Sequence, residues 1–286
     1  MRKALLLLLG ALLATPLLMA QNPQVRRVGT LAKEVEGTST LFVLDGRLWT
    51  CNDHGRLRLY ALDTLTGKVT TTVDLKVTVY DLEEVTQDDR YLYFGDFGDN
   101  NGVRNDLRIL RLAKGDFRKG RYRFDTIAFS YPDRASGTRA RDFDCEAFAA
   151  VGDSLYLFTK QWVSQGSTCY ALPKTPGRYK ARRCQSFDTR GLVTAATYLP
   201  GSRQLVLLGY TLMVRPFVVV VDGFGDSRRL HERRMLLNLP LGTQSEGIAT
   251  ADGRHFFLSS EFLSLGFFSC QGALFRLNLS GYSSSR

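Results

Sequence analysis

Helical patterning is nearly missing from this sequence. Beyond the N-terminal segment, apolar residues do not recur at helical spacing, and no run is long enough to span a membrane as a helix. Histidine is scarce, at three residues. There is no G-x-S-x-G elbow, no S-x-x-K and no H-E-x-x-H, so the nucleophile and zinc-hydrolase chemistries marked by those spacings have no footing. No Gly-rich phosphate loop precedes a helix. No aromatic-plus-basic platform suits single-stranded nucleic acid. The formal charge of +10 comes from scattered Lys and Arg without a basic stripe, so no nucleic-acid partner is expected.

What is present begins with a leader. Met1-Arg2-Lys3 is a basic head, Ala4 to Leu18 is mostly Leu and Ala, and Met19-Ala20-Gln21 turns polar. That pattern predicts a signal peptide over 1–20, cleaved after Ala20, although Leu18 is large for the −3 position. No Cys near the junction offers a lipid anchor, and no sorting domain is read after the last strand. A periplasmic or secreted monomer without a membrane span is expected, with residues 21–286 forming one domain.

The mature chain is a series of short apolar runs separated by turn residues, the pattern of an all-β fold. The runs recur in units of about 40–60 residues with four strands each, the size of a propeller blade. The units start near Ser39, Asp81, Asp144, Leu192 and Ser245. The fifth lacks its last strand, while VRRVGTLA at 25–32 is a spare one at the front. We therefore expect a β-propeller of five blades, closed by the N-terminal strand; six blades and a two-sheet sandwich are the alternatives.

Aligning the units brings acid together. Asp81-Leu82-Glu83-Glu84-Val85 lies over Asp144-Cys145-Glu146-Ala147-Phe148 and over Gln244-Ser245-Glu246-Gly247-Ile248. Glu83, Glu146 and Glu246 thus begin three innermost strands and should meet at the channel mouth. The ends of the second strands should reach the same rim, bringing Asn52, Asp53 and His54, then Asp96 with Asp99 and Asn100 after it, Lys160, Tyr210 and Glu261. Crowded carboxylates repel unless a cation sits among them. Ca²⁺ is the natural cofactor for an exported protein, with Glu83, Asp96, Glu146 and Glu246 as its ligands and the other residues as a ligand-binding rim. Two further readings stay open: glutamates that accept neighbouring N–H groups or pair with Arg141 or Lys160, and a metal-free site for a polar ligand.

Five cysteines in an exported chain suggest a disulfide. Cys169 and Cys184 flank Pro176-Gly177 symmetrically, so a hairpin turning there would place them opposite each other. The other three are read as buried apolar residues.

The ordered motifs resemble a family of exported bacterial propellers, the phytase-like and SdiA-regulated-like group. They are Asn52-Asp53-His54-Gly55, Asp81-Leu82-Glu83-Glu84-Val85, Gly95-Asp96-Phe97-Gly98-Asp99-Asn100, DFDCEA at 142–147 and SEGIA at 245–249. The resemblance implies a propeller with a polar, calcium-binding mouth and no settled activity. Leu82 departs from it where the family often has Trp, and Thr194-Ala195-Ala196 carries no acid. Two functions follow. The first is a binding module whose mouth engages a small ligand, glycan or protein partner. The second is a calcium-dependent hydrolase of phosphoesters or lactones, with a rim carboxylate or His54 as base.

Overall fold

The computed structural model describes residues 23–35, 37–135, 140–225, 230–265 and 268–282. The expected leader, 1–20, and Glu36 lie outside them. Among the described residues no helix is long and apolar enough to cross a membrane.

Five antiparallel sheets stand around a common axis. The first blade is Phe42–Leu44, Arg47–Cys51, Gly55–Leu62 and Val69–Val79. The second is Leu82–Gln87, Tyr91–Asp96, Arg108–Ala113 and Phe124–Ser130. The third is Asp144–Val151, Ser154–Lys160, Ser167–Pro173 and Arg182–Phe187. The fourth is Leu192–Leu199, Gln204–Tyr210, Pro216–Asp222 and His231–Leu236. The fifth is Ser245–Thr250, His255–Ser260 and Ala273–Asn278, completed by Gln24–Thr30. The N-terminal strand runs antiparallel to Ala273–Asn278, with Gln24 opposite Asn278. Closure this way leaves no open gap between the first and last blades, which removes an aggregation-prone edge.

Local chemistry sets the turns. In the first blade Leu44 pairs with Arg47 across Asp45-Gly46, both at positive φ (50° and 74°), the two-residue turn that suits the right-handed twist of a hairpin. The core is not central. It is divided into five apolar wedges, each between neighbouring blades. In one wedge Phe97 and Phe148 meet edge to face at 5.1 Å. Each fully buried Leu or Phe there contributes about 1.5–3 kcal/mol. Near the axis the side chains shrink to Ala147, Ala149, Ala195 and Gly247, because five strands converge.

One expected element does not form. The chain does not turn back at Pro176-Gly177. Instead Gly177–Lys180 leaves the third blade and pairs in parallel with Phe124–Ser130 of the second, and the chain returns only at Arg182. The outer edge of the second blade offers unpaired N–H and C=O groups, and a visiting strand satisfies them. Ala181 N–H donates to Ser130 O at 2.9 Å, and Lys174 Nζ lies 3.0 Å from Asp88 Oδ2. Cys169 therefore faces Gln185, and a register shift leaves Cys184 as an extra residue between Gln185 and Arg183. Both are free thiols, so the disulfide expected from the hairpin is not formed. The two are nevertheless hydrogen-bonded neighbours, and that contact, against the push of burial, pulls the Cys184 thiol down to about 7.

Candidate binding site at the channel mouth

The innermost strands all begin on one face, here called the top. Each breaks register by one residue close to its start. The extra residue is Glu83 in the second blade, Glu146 in the third, Thr194 in the fourth and Glu246 in the fifth. In the first blade the Thr38–Asn52 bridge is likewise one residue out of step with the Phe42–Trp49 pair. A bulge bends the strand and re-aims its side chain. Three of these bulges hold a glutamate, and each is buried. Thr194 Oγ1 donates to Ser245 O at 2.7 Å, tying the fourth blade to the fifth.

The ends of the second strands bring Lys160, Tyr210 and Glu261 to the same place. Lys160 Nζ lies 3.0 Å from Glu146 Oε1, 4.7 Å from the centre of the Trp162 ring and 5.5 Å from that of Tyr210, and the side chain is 4% exposed. Gln244 Nε2 donates to Glu246 Oε1 at 2.8 Å and to Glu261 Oε2 at 3.2 Å. Trp162 Nε1 donates to Asp144 Oδ2 at 2.8 Å, and the Asp99 N–H to Oδ1 at 2.7 Å.

Glu83 differs from its neighbours. Among the described residues its hydrogen-bond partners are other carboxyl groups, Asp81 on one side and Glu146 on the other. Two carboxyls share a hydrogen bond only if one of them holds a proton. Gly98 makes the approach possible, since a Cβ there would collide with Glu83 Oε1 and the Asp81 carboxyl. Burial, then the charges of Glu146, Asp81 and Asp144, push Glu83 well above the usual carboxylate range, with Lys160 opposing. Burial also raises Glu146, Glu246 and Asp144, and it takes Glu261, beside Glu246 and Glu146, up to about 9. Burial works against the charge on Lys160, but Glu146 and Glu246 more than offset it and raise its pKa. Among the described residues the mouth thus holds a buried ammonium, Lys160, beside carboxyls whose pKa values are raised.

Several expected rim residues are engaged elsewhere. Asp96 Oδ1 accepts the N–H groups of Tyr80 and Asp81, and its fully buried carboxylate is bound by Arg104 (3.2 Å) and Arg108 (2.7 Å). Asp99 Oδ1 accepts the N–H groups of Val103 and Arg104, holding its own loop. Asn100 is exposed and offers its carbonyl to Arg141 Nε. Asn52 donates to His54 O and Arg56 O, which shapes its own turn. His54 is largely solvent-exposed, with Nδ1 2.6 Å from Asp53 Oδ1. Asp53 lies close enough to the mouth for its charge to raise Glu261 and Asp81.

These residues do not form a calcium ligand set. Calcium takes about 6–8 oxygens. Lys160 supplies the positive charge against Glu146 that a metal would supply, Asp96 is closed off by two arginines, and no group of three or more His, Cys, Asp or Glu among the described residues is arranged to hold a metal.

Glu84 is the residue the sequence did not point out. It lies below the mouth, buried, and reaches across the axis. Its Oε1 accepts Thr40 Oγ1 of the first blade and the Val85 N–H, and its Oε2 accepts the Ala196 N–H of the fourth at 3.0 Å. The only advance signal was its acid type where Ala147, Ala195 and Gly247 occupy the equivalent register.

No family model and no curated protein matches the sequence. Among solved structures the chain is similar to a family 117 glycoside hydrolase from the marine bacterium Zobellia galactanivorans, at 13% identity and a TM-score of 0.55, covering 91% of this chain and 92% of that one. It is similar to a hypothetical protein from Leishmania major at 13% identity and a TM-score of 0.51, covering 89% of each. A glucose dehydrogenase matches at 13% identity and a TM-score of 0.51, covering 90% of this chain and 100% of that one. Likenesses at this identity speak to the fold: the chain is an all-β, five-bladed propeller.

Proposed function

We propose that this chain is an exported binding module, acting in the periplasm or after release, whose ligand seats in the carboxyl-lined mouth and brings a positive charge to Glu83. One observation carries this reading. Glu83 is a buried acid at the mouth whose hydrogen-bonding neighbours are other carboxyl groups, Asp81 and Glu146, while Lys160 pairs with Glu146. Crowded buried carboxyls disfavour one another's charge, and a ligand cation placed among them relieves that repulsion. The motif resemblance to phytase-like and SdiA-regulated-like propellers supports a polar mouth of this kind. The test is titration with n-butylammonium, with n-butanol as the neutral control. A saturable rise in melting temperature with the amine alone, lost in Glu83→Gln, is expected; a ligand at 100 times its dissociation constant stabilises by about 2.7 kcal/mol. Equal responses to amine and alcohol, or none, would overturn the reading.

A second reading rests on a separate observation. Glu83 stands against Glu146, and Lys160 pairs with Glu146, so two neighbouring acids sit in unlike environments, an arrangement that suits acid–base hydrolysis. The similar solved structure named as a glycoside hydrolase makes glycosides worth testing beside phosphoesters and lactones. Turnover abolished by both Glu83→Gln and Glu146→Gln is the result this reading requires.

A further inference from the structure

The top face carries an apolar ring that the mouth does not use. In the second to fifth blades the loop between the second and third strands carries a large exposed apolar side chain, and so do two of the links between blades. Tyr80 leads into the second blade and Val103 lies in its long loop. Val163 belongs to the third blade, Met213 to the fourth, Leu241 to the link between fourth and fifth, and Phe262 to the fifth. Their exposure runs from 43% for Phe262 to 74% for Val163. Among the described residues, Leu65 alone of the exposed large apolar side chains lies in a turn of the opposite face. Exposed apolar residues are ordinary when scattered. Here they gather on one face, around one opening, which marks an interaction surface.

Charge complementarity selects the occupant. The opening is lined by Asp53, Asp81, Glu83, Asp144, Glu146, Glu246 and Glu261, with Lys160 buried among them, Arg104 near Asp81 and Arg141 over the Trp162 ring, so that carboxyls outnumber cations there. An anionic lipid surface pressed onto this ring would bring phosphates against those carboxyls. A small cation would fill the mouth and leave the ring bare. A polypeptide satisfies both parts at once, with a basic side chain on the axis and apolar side chains on the ring, the arrangement of a central anchor with a surrounding seal.

We infer that the top face docks a protein partner that inserts a lysine or arginine side chain into the channel mouth and lays flanking apolar side chains on the ring of Tyr80, Val103, Val163, Met213, Leu241 and Phe262. This rests on the binding-module reading and adds the class of partner. Glu83 receives the inserted charge, and the seal excludes water from the pair, which strengthens it.

The test selects random displayed peptides on the immobilised full chain, then measures the enriched peptides by anisotropy. The expected peptides share a Lys or Arg beside apolar residues. Replacing that residue by norleucine weakens binding by at least about tenfold, as does Val163→Asp or Met213→Asp in the protein. Both protein substitutions lie at exposed sites, so melting temperature and the n-butylammonium response are expected to be unchanged. Enriched peptides without a basic residue, affinities indifferent to the two ring substitutions, or no enrichment would overturn the inference. So would co-sedimentation with phosphatidylglycerol vesicles that those substitutions abolish. If the amine still binds in any of these cases, the mouth reading survives without the docking surface. If the amine fails in the unaltered protein, both fall.

Discussion

The two faces of this propeller use the same acids in opposite ways. On the bottom face, carboxylates close the turns. Asp63 takes hydrogen bonds from the Thr66 hydroxyl and from two backbone N–H groups, which hold it below its usual range. At Asp88 burial pushes upward, but N–H groups of Arg90 and Tyr91, with Lys174, bring it down to about 2. At Asp252 the same contest is won by His255 and its backbone. On the top face the donors are too few for the acids, and Glu83, Glu146, Glu246 and Glu261 rise instead. What separates the two sets is a balance: burial raises an acid and committed donors lower it, and at the mouth burial wins even over the two donors of Asp144.

The strongest way to break this contrast is to remove the buried ammonium of Lys160. Lys160→Met leaves Glu146 buried without its partner and is expected to cost about 3–5 kcal/mol by urea unfolding at neutral pH. The loss should shrink as pH falls and the carboxyls take up protons; a loss independent of pH would mean that Lys160 matters for packing alone. Gly98→Ala comes next. Its Cβ drives into the Glu83–Asp81 contact, and a cost of about 1–3 kcal/mol is expected from overpacking. A melt unchanged from that of the parent protein would show that this approach is not tight.

A pH profile separates the faces directly. Acids raised by folding contribute stability that is full below the ordinary carboxyl range and is lost as pH rises through their folded values. For Glu261 that loss extends to about 9. Acids lowered by folding contribute stability that is present above the ordinary range and lost as pH falls, toward about 2 for Asp88. Glu261→Gln should therefore flatten the alkaline side of a melting curve against pH, whereas Asp88→Asn should flatten the acid side at a cost of about 1 kcal/mol near neutrality. Effects on the same side of the profile would contradict the comparison. Calcium should matter least: after chelation, added Ca²⁺ is expected to leave the melt unmoved, because Lys160 already provides the charge. A calcium-selective rise that vanishes in Glu146→Gln would restore the metal.

Much of this was legible in the sequence, for a physical reason. A repeat reports register, so the recurrence of Glu83, Glu146 and Glu246 at one position of the blade was enough to bring them together, and the strand missing from the last unit announced its replacement near the front. Lys160 and Glu261 followed because second strands end where first strands begin. The misreadings have causes too. Pro176-Gly177 has good turn chemistry, but local preference was outweighed by a free edge on another blade, which no local pattern displays. Asp96 sits in the register of a rim residue, yet Arg104 and Arg108 arrive from the loop and next strand to cover it. Glu84 stood beside Glu83 in plain view, but its role depends on a backbone N–H from two blades away. The apolar ring was invisible until the fold showed which loops share a face.

The closing seam has a mechanical consequence. Gln24 lies opposite Asn278, so the outer ends of both seam strands sit side by side. A force separating the two ends would open the ladder one bond at a time, like a zipper, instead of shearing all its bonds together. The ring is thus expected to yield at low force when pulled from its ends, and to yield first at the fifth blade.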